Sequence, residues 1–411
     1  MKLVIVETDG RGGLIHFAYQ LAEAFAEIGV ETTLLTASDY ELADLPHRAR
    51  VAPILKLWPR VETPPSNALA AAFRRTARRG WRALILAREW ARIVRFLRRE
   101  KADVAVFSIV GFPWLALYLR HLDRSGVTLA QVCHEFVNRE AGGGSGGAPA
   151  RLPSRYAWFS SIFLLSEAAR RDFCAAYPRE AGRTALIPHG PELLFEPEGG
   201  DAAAITARYG VGPAERIVLM FGGLRPSKGV PDLVDAFALL QDRPDVRLIV
   251  AGYPSREFDA AAEIARVAAL DLSERVTFDL RYLPMGELGA LIRRADVVAF
   301  PYRSATSSGA LALAQSLGRP VVATAVGGLL DAVRDGETGR LAAQGDPVAL
   351  AAAIGDVLDD PEAAEAMGAR GRDVVTRERS WTAIAGRMLA ALPDRSPPEA
   401  RSGFARERVK C

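Results

Sequence analysis

The sequence predicts an α/β protein made of two doubly wound, parallel-sheet domains, and three observations favour that class. The 411 residues are too many for one ordinary hydrophobic core and fit two domains of roughly 190 residues each. An apolar strand, a glycine-containing turn and an apolar-periodic helix follow one another twice, over 2–29 and over 216–240. Strand and helix patterns alternate after each beginning. Two separate beginnings favour two domains over one large sheet.

Both beginnings contain the same elements. The first is a strand at Lys2–Glu7, a turn at Gly10–Gly13, a helix at Leu14–Ile28 and a strand at Val30–Leu35. The second is a strand at Arg216–Met220, a loop at Phe221–Gly229, a helix at Val230–Leu240 and a strand at Val246–Ala251. Later apolar runs predict further buried strands at Val104–Phe107, Leu129–Cys133, Ser161–Leu165, Val276–Asp279, Val297–Pro301, Pro320–Ala323 and Gly339–Leu341.

Composition suggests the domain boundaries. The Pro- and Gly-rich stretch 188–200 ends the first regular pattern, so we place an N-terminal domain at 1–190 and a C-terminal domain at 191–379. A last helix is predicted at 380–393, and we expect it to pack back on the N-terminal domain. Residues 141–150 (AGGGSGGAPA) are typical of a flexible surface loop, and 394–411 of a disordered tail.

Overall composition excludes several classes of protein. Charged residues make up 25% and apolar residues 49%, which excludes an intrinsically disordered chain. Cys133, Cys174 and Cys411 have neither paired nor metal-ligand spacing, so we expect a reducing compartment and no metal site. The first ten residues are typical of a strand and turn, not of a signal peptide. Since no apolar run reaches about 18 residues, we expect no membrane-spanning helix and a cytoplasmic location.

The strongest chemical signal is the segment 221–237, FGGLRPSKGVPDLVDAF. A predicted strand ends in Gly222-Gly223, where the missing side chains allow close approach of a ligand to the backbone. Arg225 and Lys228 follow, just before a helix whose first amides favour an anion. A planar guanidinium and a compact ammonium together suit two neighbouring phosphates. The alternative interpretation, two solvated loop cations, fits this strand–loop–helix context less well.

This segment resembles the donor-phosphate motif of glycosyltransferase family 4, retaining enzymes of the GT-B fold. The stretch from Arg275 to Gly339 is similar to the rest of the family's second half, and IPHG at 187–190 resembles the segment that closes its first domain. ETDGRGG at 7–13 resembles its glycine-rich loop. The resemblance implies a nucleoside-diphosphate sugar donor, UDP- or GDP-linked, with no further cofactor and no metal. It also implies a saccharide or lipid-linked acceptor.

One departure from the family pattern concerns two glutamates separated by seven residues. Ser307 and Gln315 stand at the corresponding positions of this sequence, around Ser308, Gly309 and Ala310. The resemblance implies that Gln315 hydrogen-bonds the ribose hydroxyls, although a neutral amide accepts more weakly than a carboxylate. The backbone amides of 308–310 are expected to meet the sugar or phosphate at a helix N-terminus. The alternative is that Ser307 and Ser308 are helix caps.

The first half offers smaller candidates. Gly12 and Gly13 are expected to admit the donor phosphates across the cleft, or else to form only a tight turn. His134 follows a predicted strand, at the edge where open α/β sheets bind ligands, and could hydrogen-bond the donor sugar or be structural. Glu135 is a weaker companion, and His16 and His189 are interpreted as structural or supporting residues.

In the second half, the loop 280–284 (LRYLP) resembles the segment beside the nucleotide base. Arg281 replaces a small residue there, and Tyr282 is interpreted as packing or as stacking on the base. No carboxylate pair has the spacing of a double-displacement glycosidase, so we expect Arg225 and Lys228 to stabilise the departing diphosphate. Two alternatives are a GT-B protein that binds nucleotide sugar or a partner enzyme with weakened turnover, and a sugar-nucleotide epimerase.

A basic helix is predicted over 81–100. Residues 73–101 contain ten Arg and one Lys against two Glu, a charge of +9, while the whole chain carries +3. Apolar positions lie on one side of this helix (Leu86, Trp90, Ile93, Val94 and Leu97) and arginines on the other (Arg88, Arg92, Arg95 and Arg99). The cationic side is either an ordinary solvated face or a contact for anionic membrane headgroups. No nucleic-acid module accompanies it, so nucleic acid is not an expected partner.

Overall fold

A computed structural model describes residues 1–56, 68–136, 155–195 and 202–393, without the side chains of 68–79 and 202. The predicted loop 141–150, the tail 394–411 and residues 196–200 of the predicted linker lie outside the described residues.

The first lobe has a seven-stranded sheet in the order β3-β2-β1-β4-β5-β6-β7, with all of its strand pairings parallel. Its strands are β1 (Lys2–Val6), β2 (Glu31–Ala37), β3 (Arg50–Leu55), β4 (Val104–Phe107), β5 (Thr128–Cys133), β6 (Ser161–Leu164) and β7 (Thr184–Leu186). Its helices are α1 (Gly13–Glu27), α2 (Ala68–Arg99), α3 (Ala116–Arg124) and α4 (Glu167–Ala176).

The second lobe has a six-stranded parallel sheet in the order β10-β9-β8-β11-β12-β13. Its strands are β8 (Arg216–Phe221), β9 (Val246–Ala251), β10 (Val276–Asp279), β11 (Val297–Phe300), β12 (Val321–Thr324) and β13 (Arg340–Ala342). The helices after β7 are α5 (Ala202–Tyr209), α6 (Val230–Ala238), α7 (Ala260–Ala269), α8 (Met285–Arg294), α9 (Gly309–Ser316), α10 (Gly328–Ala332), α11 (Pro347–Asp359), α12 (Pro361–Asp373) and α13 (Trp381–Ala390).

The central strands of both sheets are apolar on both faces. Every residue of β4, β6, β11 and β12 is buried, because helices cover each face of a parallel sheet. This arrangement confirms the predicted fold class. Two edge strands of the first sheet, β3 and β7, were not predicted. Both are partly exposed, and β3 contains Pro53, so neither has the continuous apolar run that identifies a buried strand.

The last helix, α13, packs on the first lobe. Its Trp381 lies edge-on to Phe17 of α1, with ring centroids 4.9 Å apart, and donates from Nε1 to the Pro191 carbonyl at 2.6 Å. A methyl group on Gly190 would lie 2.5 Å from the Trp381 ring, so only glycine fits there. The chain therefore crosses between the lobes twice, after β7 and again just before α13.

The basic helix α2 is amphipathic, as the sequence predicts. The five positions predicted to form its apolar side, from Leu86 to Leu97, are all buried. Two arginines of the cationic side pair with one buried carboxylate, since the guanidinium groups of Arg92 and Arg88 lie 3.2 Å and 3.8 Å from Glu89. Arg88 and Arg95 remain exposed on that face. In the part of the chain that the structure describes, no helix has both the length and the apolar character needed to cross a membrane.

Candidate active site

Two glycines, one in the loop after β8 and one directly after β9, have a backbone and surroundings that only glycine permits. Gly229, directly after Lys228, has φ 71°, and a Cβ there would lie 1.8 Å from the Pro301 carbonyl oxygen. Gly252, at the end of the neighbouring strand, has φ 149°, and a Cβ would lie 1.8 Å from the Gly222 carbonyl oxygen. These close approaches hold the β8 loop at the carboxyl edge of the sheet, where doubly wound folds bind ligands.

A cavity of about 310 Å³ separates the two lobes at this edge. The first lobe contributes Gly13, Leu14, Ile109, His134, Glu135 and His189, and the second contributes Gly222, Gly223, Arg225, Ser227, Lys228, Tyr302 and the segment 304–310. We refer to it as the cleft pocket. It brings together most of the predicted site residues: Arg225, Lys228, His134, Gly13, Gly223, Ser307, Ser308, Gly309 and Ala310.

The two predicted cations occupy different surroundings in the cleft pocket. The Arg225 guanidinium lies 3.7 Å from the Glu135 carboxylate of the other lobe, and both side chains are more than 40% exposed. The Lys228 ammonium lies over the ring of Tyr302, 3.7 Å from its centroid. An aromatic face attracts a cation without neutralising its charge. The Lys228 ammonium is therefore positioned by an aromatic ring of its own lobe, while Arg225 bridges the lobes.

His134 presents a neutral imidazole to the cleft pocket. Burial, and to a lesser extent His189, lowers the pKa of His134 to about 3. Its Nε2 is buried without a hydrogen-bond partner among the described residues, and its ring packs edge-on against Phe17, 4.8 Å away. An uncharged imidazole at neutral pH can hydrogen-bond a sugar hydroxyl, but its one N–H is too weakly acidic to serve as a general acid.

The segment before α9 joins the two lobes. Thr306 donates from Oγ1 to the His134 carbonyl at 2.8 Å and accepts at its own carbonyl from Ser166 Oγ at 2.6 Å. Ser308 caps α9, accepting from the Leu311 amide at 3.1 Å. Ser308 therefore caps α9 and also borders the cleft pocket. The first amides of α9, at Gly309 and Ala310, border the cleft pocket and favour an anionic ligand.

Gln315 does not lie where the sequence places it. Its side chain is buried, donates from Nε2 to the Ala332 carbonyl at 3.1 Å, and does not border the cleft pocket. The reason is helical geometry. Gln315 lies in the last turn of α9 and packs toward α10 and α12, where its Cγ lies 3.6 Å from the site of a Cβ on Gly371. The predicted contact between Gln315 and the donor ribose therefore does not fit this position.

Tyr282 and Gly12 also lie outside the lining of the cleft pocket, and both contact Glu41. The Tyr282 hydroxyl donates to Glu41 Oε2 at 2.6 Å across the lobes, and the Gly12 amide donates to Oε1 at 2.5 Å. Burial acts to raise the pKa of Glu41, but hydrogen bonds from His16, Tyr282 and Gly12 lower it overall. Both interpretations of Tyr282, packing and base stacking, miss this interlobe hydrogen bond.

Side chains of the first lobe and of the segment that follows it form further hydrogen bonds and ion pairs beside the cleft pocket. His16 lies 2.9 Å from Glu41 through Nε2 and 3.8 Å from Glu192 through Nδ1. Glu192 is buried and accepts from Gln20 at 2.6 Å, and burial raises its pKa to about 7. His189 borders the cleft pocket, and burial lowers its pKa. Sequence reasoning identified His16 and His189 only as supporting residues and did not single out Glu192, because its partners are distant in sequence.

The described residues contain no group of three or more His, Cys, Asp and Glu side chains arranged to hold a metal ion. Positive charge borders the cleft pocket at Arg225, at Lys228 and at the amides that begin α9.

Comparisons with known proteins agree with this architecture. The family described as Glycosyltransferase Family 4 matches residues 11–193, and that described as Glycosyl transferases group 1 matches residues 202–374. A D-inositol 3-phosphate glycosyltransferase of Mycolicibacterium gilvum is 37% identical over 200 residues, which are 48% of this chain and 44% of that protein. One of Corynebacterium efficiens is 34% identical over 245 residues, 57% of this chain and 56% of that protein. The chain thus spans about half the length of the curated relatives it matches.

Solved structures match over nearly the whole chain. A sucrose-phosphate synthase from Thermosynechococcus elongatus has a TM-score of 0.68 at 23% identity, covering 95% of this chain and 97% of the other. The Anabaena protein HepE, in complex with UDP and glucose, has a TM-score of 0.68 at 18% identity, covering 95% and 98%. At these identities the likeness shows the fold alone. With two family matches that lie one on each lobe, the chain belongs to glycosyltransferase family 4 and has the GT-B architecture.

Proposed function

We propose that this protein is a retaining glycosyltransferase that moves a sugar from a nucleoside-diphosphate donor to a hydroxyl of its acceptor. One observation carries the proposal. Arg225 and Lys228 of the second lobe border the same pocket as the neutral His134 of the first lobe. Cations on one side suit a diphosphate, and a neutral hydrogen-bonding group on the other suits a sugar.

The proposed reaction breaks the bond between the anomeric carbon and the diphosphate oxygen. The acceptor oxygen attacks the same face of the sugar, and its proton passes to the departing phosphate oxygen. Arg225, Lys228 and the first amides of α9 stabilise the negative charge that develops on the diphosphate. Because these groups are held by the glycine-dependent β8 loop and by a capped helix, little reorganisation accompanies the step.

His134 serves as a positioning group in this proposal. Since its pKa is lowered to about 3, the ring is neutral throughout the physiological range. Its buried Nε2 lacks a partner among the described residues, and a donor-sugar hydroxyl would satisfy it. Leaving such a group unsatisfied costs roughly 1–3 kcal/mol, so a sugar that reaches it gains specificity as well as affinity.

For the substrates, we propose a UDP- or GDP-linked sugar as donor, with no metal or other cofactor required. The named relatives act on inositol 3-phosphate and HepE binds UDP, which supports a uridine nucleotide and a polyhydroxylated acceptor. We keep a saccharide or lipid-linked acceptor, as in synthesis of cell-surface glycoconjugates, as the proposed class.

We also propose a cytoplasmic protein that contacts the inner face of an anionic membrane through α2. Arg88 and Arg95 are exposed on this helix, and so are Trp81 and Leu84. Exposed arginines beside exposed apolar side chains suit the headgroup region of a bilayer. Reversing the charge of Arg88, Arg95 and Arg99 to Glu should abolish sedimentation with anionic vesicles. Unchanged sedimentation of this triple variant would contradict the membrane contact.

A second candidate is a protein that binds nucleotide sugar or a partner enzyme without turnover. It is favoured by one feature of the pocket wall: the segment 302–313 contains no carboxylate, and Gln315 faces away from the pocket. Without a carboxylate on this wall, contacts to the sugar and ribose hydroxyls would be weaker.

Release of nucleoside diphosphate separates the two candidates. The protein is incubated with UDP- and GDP-sugars, with and without saccharide, inositol phosphate and lipid-linked acceptors. A transferase is expected to release nucleoside diphosphate faster with an acceptor, and Arg225→Ala and Lys228→Ala should each slow the release. Tight binding of a nucleotide sugar without any release would support the binding protein instead.

A further inference from the structure

A second cavity, of about 460 Å³, lies behind the wall formed by His189, Ser307 and Ser308. Those three residues border both cavities, so only this wall separates the second one from the cleft pocket. We call it the hinge pocket, because its lining includes both crossings of the chain between the lobes: Pro188 and His189 at the first, and Glu378 and Arg379 at the second. Its size falls within the range of small-molecule sites.

The acidic and the basic side chains that line the hinge pocket differ in whether they have partners. Each of its three carboxylates has a partner in the structure. Glu167 pairs with Arg170 at 2.8 Å, Asp331 accepts from the Glu167 amide at 2.6 Å, and Glu378 pairs with Arg334 at 2.6 Å.

In the described part of the chain, the two arginines that line the hinge pocket lack carboxylate partners of this kind. Among the described residues, neither Arg379 nor Arg387 forms an ion pair with a carboxylate. Arg379 donates one hydrogen bond, to the Asp331 carbonyl at 2.9 Å. Burial lowers the pKa of Arg379, which reflects the cost of holding its charge away from water. Arg387 is exposed on α13 and has no hydrogen bond to any described residue. Two guanidinium groups therefore border one cavity with most of their donors unused.

The rest of the lining is mostly uncharged. Leu165, Leu311 and Ala312 give the hinge pocket an apolar wall, and Ser307 and Ser308 add hydroxyl groups. We propose that the hinge pocket binds a small phosphorylated molecule, whose phosphate lies between Arg379 and Arg387 and whose organic part lies against the apolar wall. Guanidinium groups recognise phosphate through paired, charge-assisted hydrogen bonds. This ligand is distinct from the donor, whose diphosphate belongs to Arg225 and Lys228.

Binding to the full chain tests the proposal without any need for catalysis. Inorganic phosphate and a hexose 6-phosphate are titrated into wild type and into an Arg225→Ala/Lys228→Ala variant, which lacks both cations of the cleft pocket. The hexose phosphate should bind both proteins. It should bind at least about tenfold more tightly than inorganic phosphate, because only the ester has an organic part to contact the apolar wall.

Arg387→Ala is the decisive variant, since Arg387 is exposed and its loss should not disturb the fold. It is expected to weaken hexose phosphate binding by about tenfold or more, through loss of a charge-assisted contact. Arg377→Ala is the matched control, because Arg377 is exposed on the neighbouring turn and does not border the hinge pocket. It should leave binding unchanged.

Three results would overturn the proposal. One is equal binding of the hexose phosphate to wild type and to Arg387→Ala. Another is loss of binding in the Arg225→Ala/Lys228→Ala variant, which would place the anion in the cleft pocket. The third is equal affinity for inorganic phosphate and the ester, which would identify free phosphate as the ligand. Because no turnover is measured, these results do not depend on whether the protein transfers a sugar.

Discussion

The ammonium of Lys228 lies 3.7 Å from the centroid of the Tyr302 ring, and the Tyr302 hydroxyl lies 3.3 Å from the Ser308 hydroxyl that caps α9. The cation, the ring and the helix cap thus form one connected unit at the base of the cleft pocket. The ring attracts the ammonium through its π face, and the N–H donors that point away from the ring remain available for phosphate oxygens. We infer that Tyr302 positions Lys228.

This relationship predicts different effects for two substitutions of Tyr302. Tyr302→Phe keeps the ring under the ammonium and removes only the contact with Ser308, so transfer should slow by less than about threefold. Tyr302→Leu removes the π face and should lower kcat by roughly tenfold, since a cation–π contact is worth about 1–2 kcal/mol at a desolvated site. Steady-state kinetics with a saturating donor measures both. Equal rates for the two variants would show that the ring has no role.

Loss of either phosphate-binding cation should have a larger effect. Lys228→Ala and Arg225→Ala are each expected to lower kcat by roughly 10²–10³, the usual cost of removing one group that stabilises developing negative charge. Arg256→Ala is the matched control, because Arg256 is exposed and does not border the cleft pocket. A comparable loss of rate in the control would mean that the assay reports general instability.

His134 should not titrate within the pH range over which kcat/KM is measured. Burial lowers its pKa to about 3, so the ring is neutral at every pH from 5 to 8. His134→Ala should therefore lower kcat/KM by a similar factor, roughly ten or more, across that range, since it removes a hydrogen bond and no proton donor. If the factor changed tenfold between pH 5 and pH 8, an acid–base role for His134 would replace the positioning role.

Glu192 should make the stability of the protein depend on pH. Burial raises its pKa to about 7, so the protonated carboxyl is the form that the fold favours. Its stabilising contribution is complete below the unfolded pKa of about 4.3 and is lost as pH rises through about 7. His16 and Gln20 face this carboxyl.

Glutamine mimics the protonated carboxyl at Glu192. Glu192→Gln should match wild type at pH 4 and exceed it at pH 8 by roughly 2–4 kcal/mol in the free energy of unfolding. Urea denaturation at the two pH values measures this difference. If Glu192→Gln exceeded wild type by the same free energy of unfolding at both pH values, the raised pKa of Glu192 would be contradicted.

Gly229 should tolerate no side chain. Gly229→Ala places a Cβ 1.8 Å from the Pro301 carbonyl oxygen at φ 71° and is expected to cost at least about 3 kcal/mol. Gly210→Ala is the matched control, since Gly210 has φ 62° but open space around its Cβ, and it should cost only about 1–2 kcal/mol. Denaturation midpoints compare the two. If both substitutions lowered stability by similar amounts, the left-handed backbone conformation alone would explain why position 229 needs glycine.

How much of this could be predicted from the sequence depends on the range of the interactions. The two parallel sheets follow from local apolar runs, and the placing of Arg225 and Lys228 follows from the strand, glycine pair and helix that surround them. The edge strand β3 was missed because its partial exposure and Pro53 remove the local signal.

The side-chain details depend on contacts that no local pattern records. Gln315 has the spacing of a site residue, but α9 turns it toward Ala332, 17 residues along the chain. The bond between Tyr282 and Glu41 joins residues 241 positions apart in different lobes. Packing of helices within the second lobe decides the first position and packing between the lobes decides the second, and one sequence reveals neither.

The most direct test of the central claim is a crystal structure of the protein with UDP or GDP in the cleft. We predict that the diphosphate lies between the two lobes with its oxygens within about 3–4 Å of both the Arg225 guanidinium and the Lys228 ammonium. A nucleoside diphosphate bound elsewhere, with neither cation in contact with a phosphate oxygen, would contradict the assignment of the cleft pocket as the donor site.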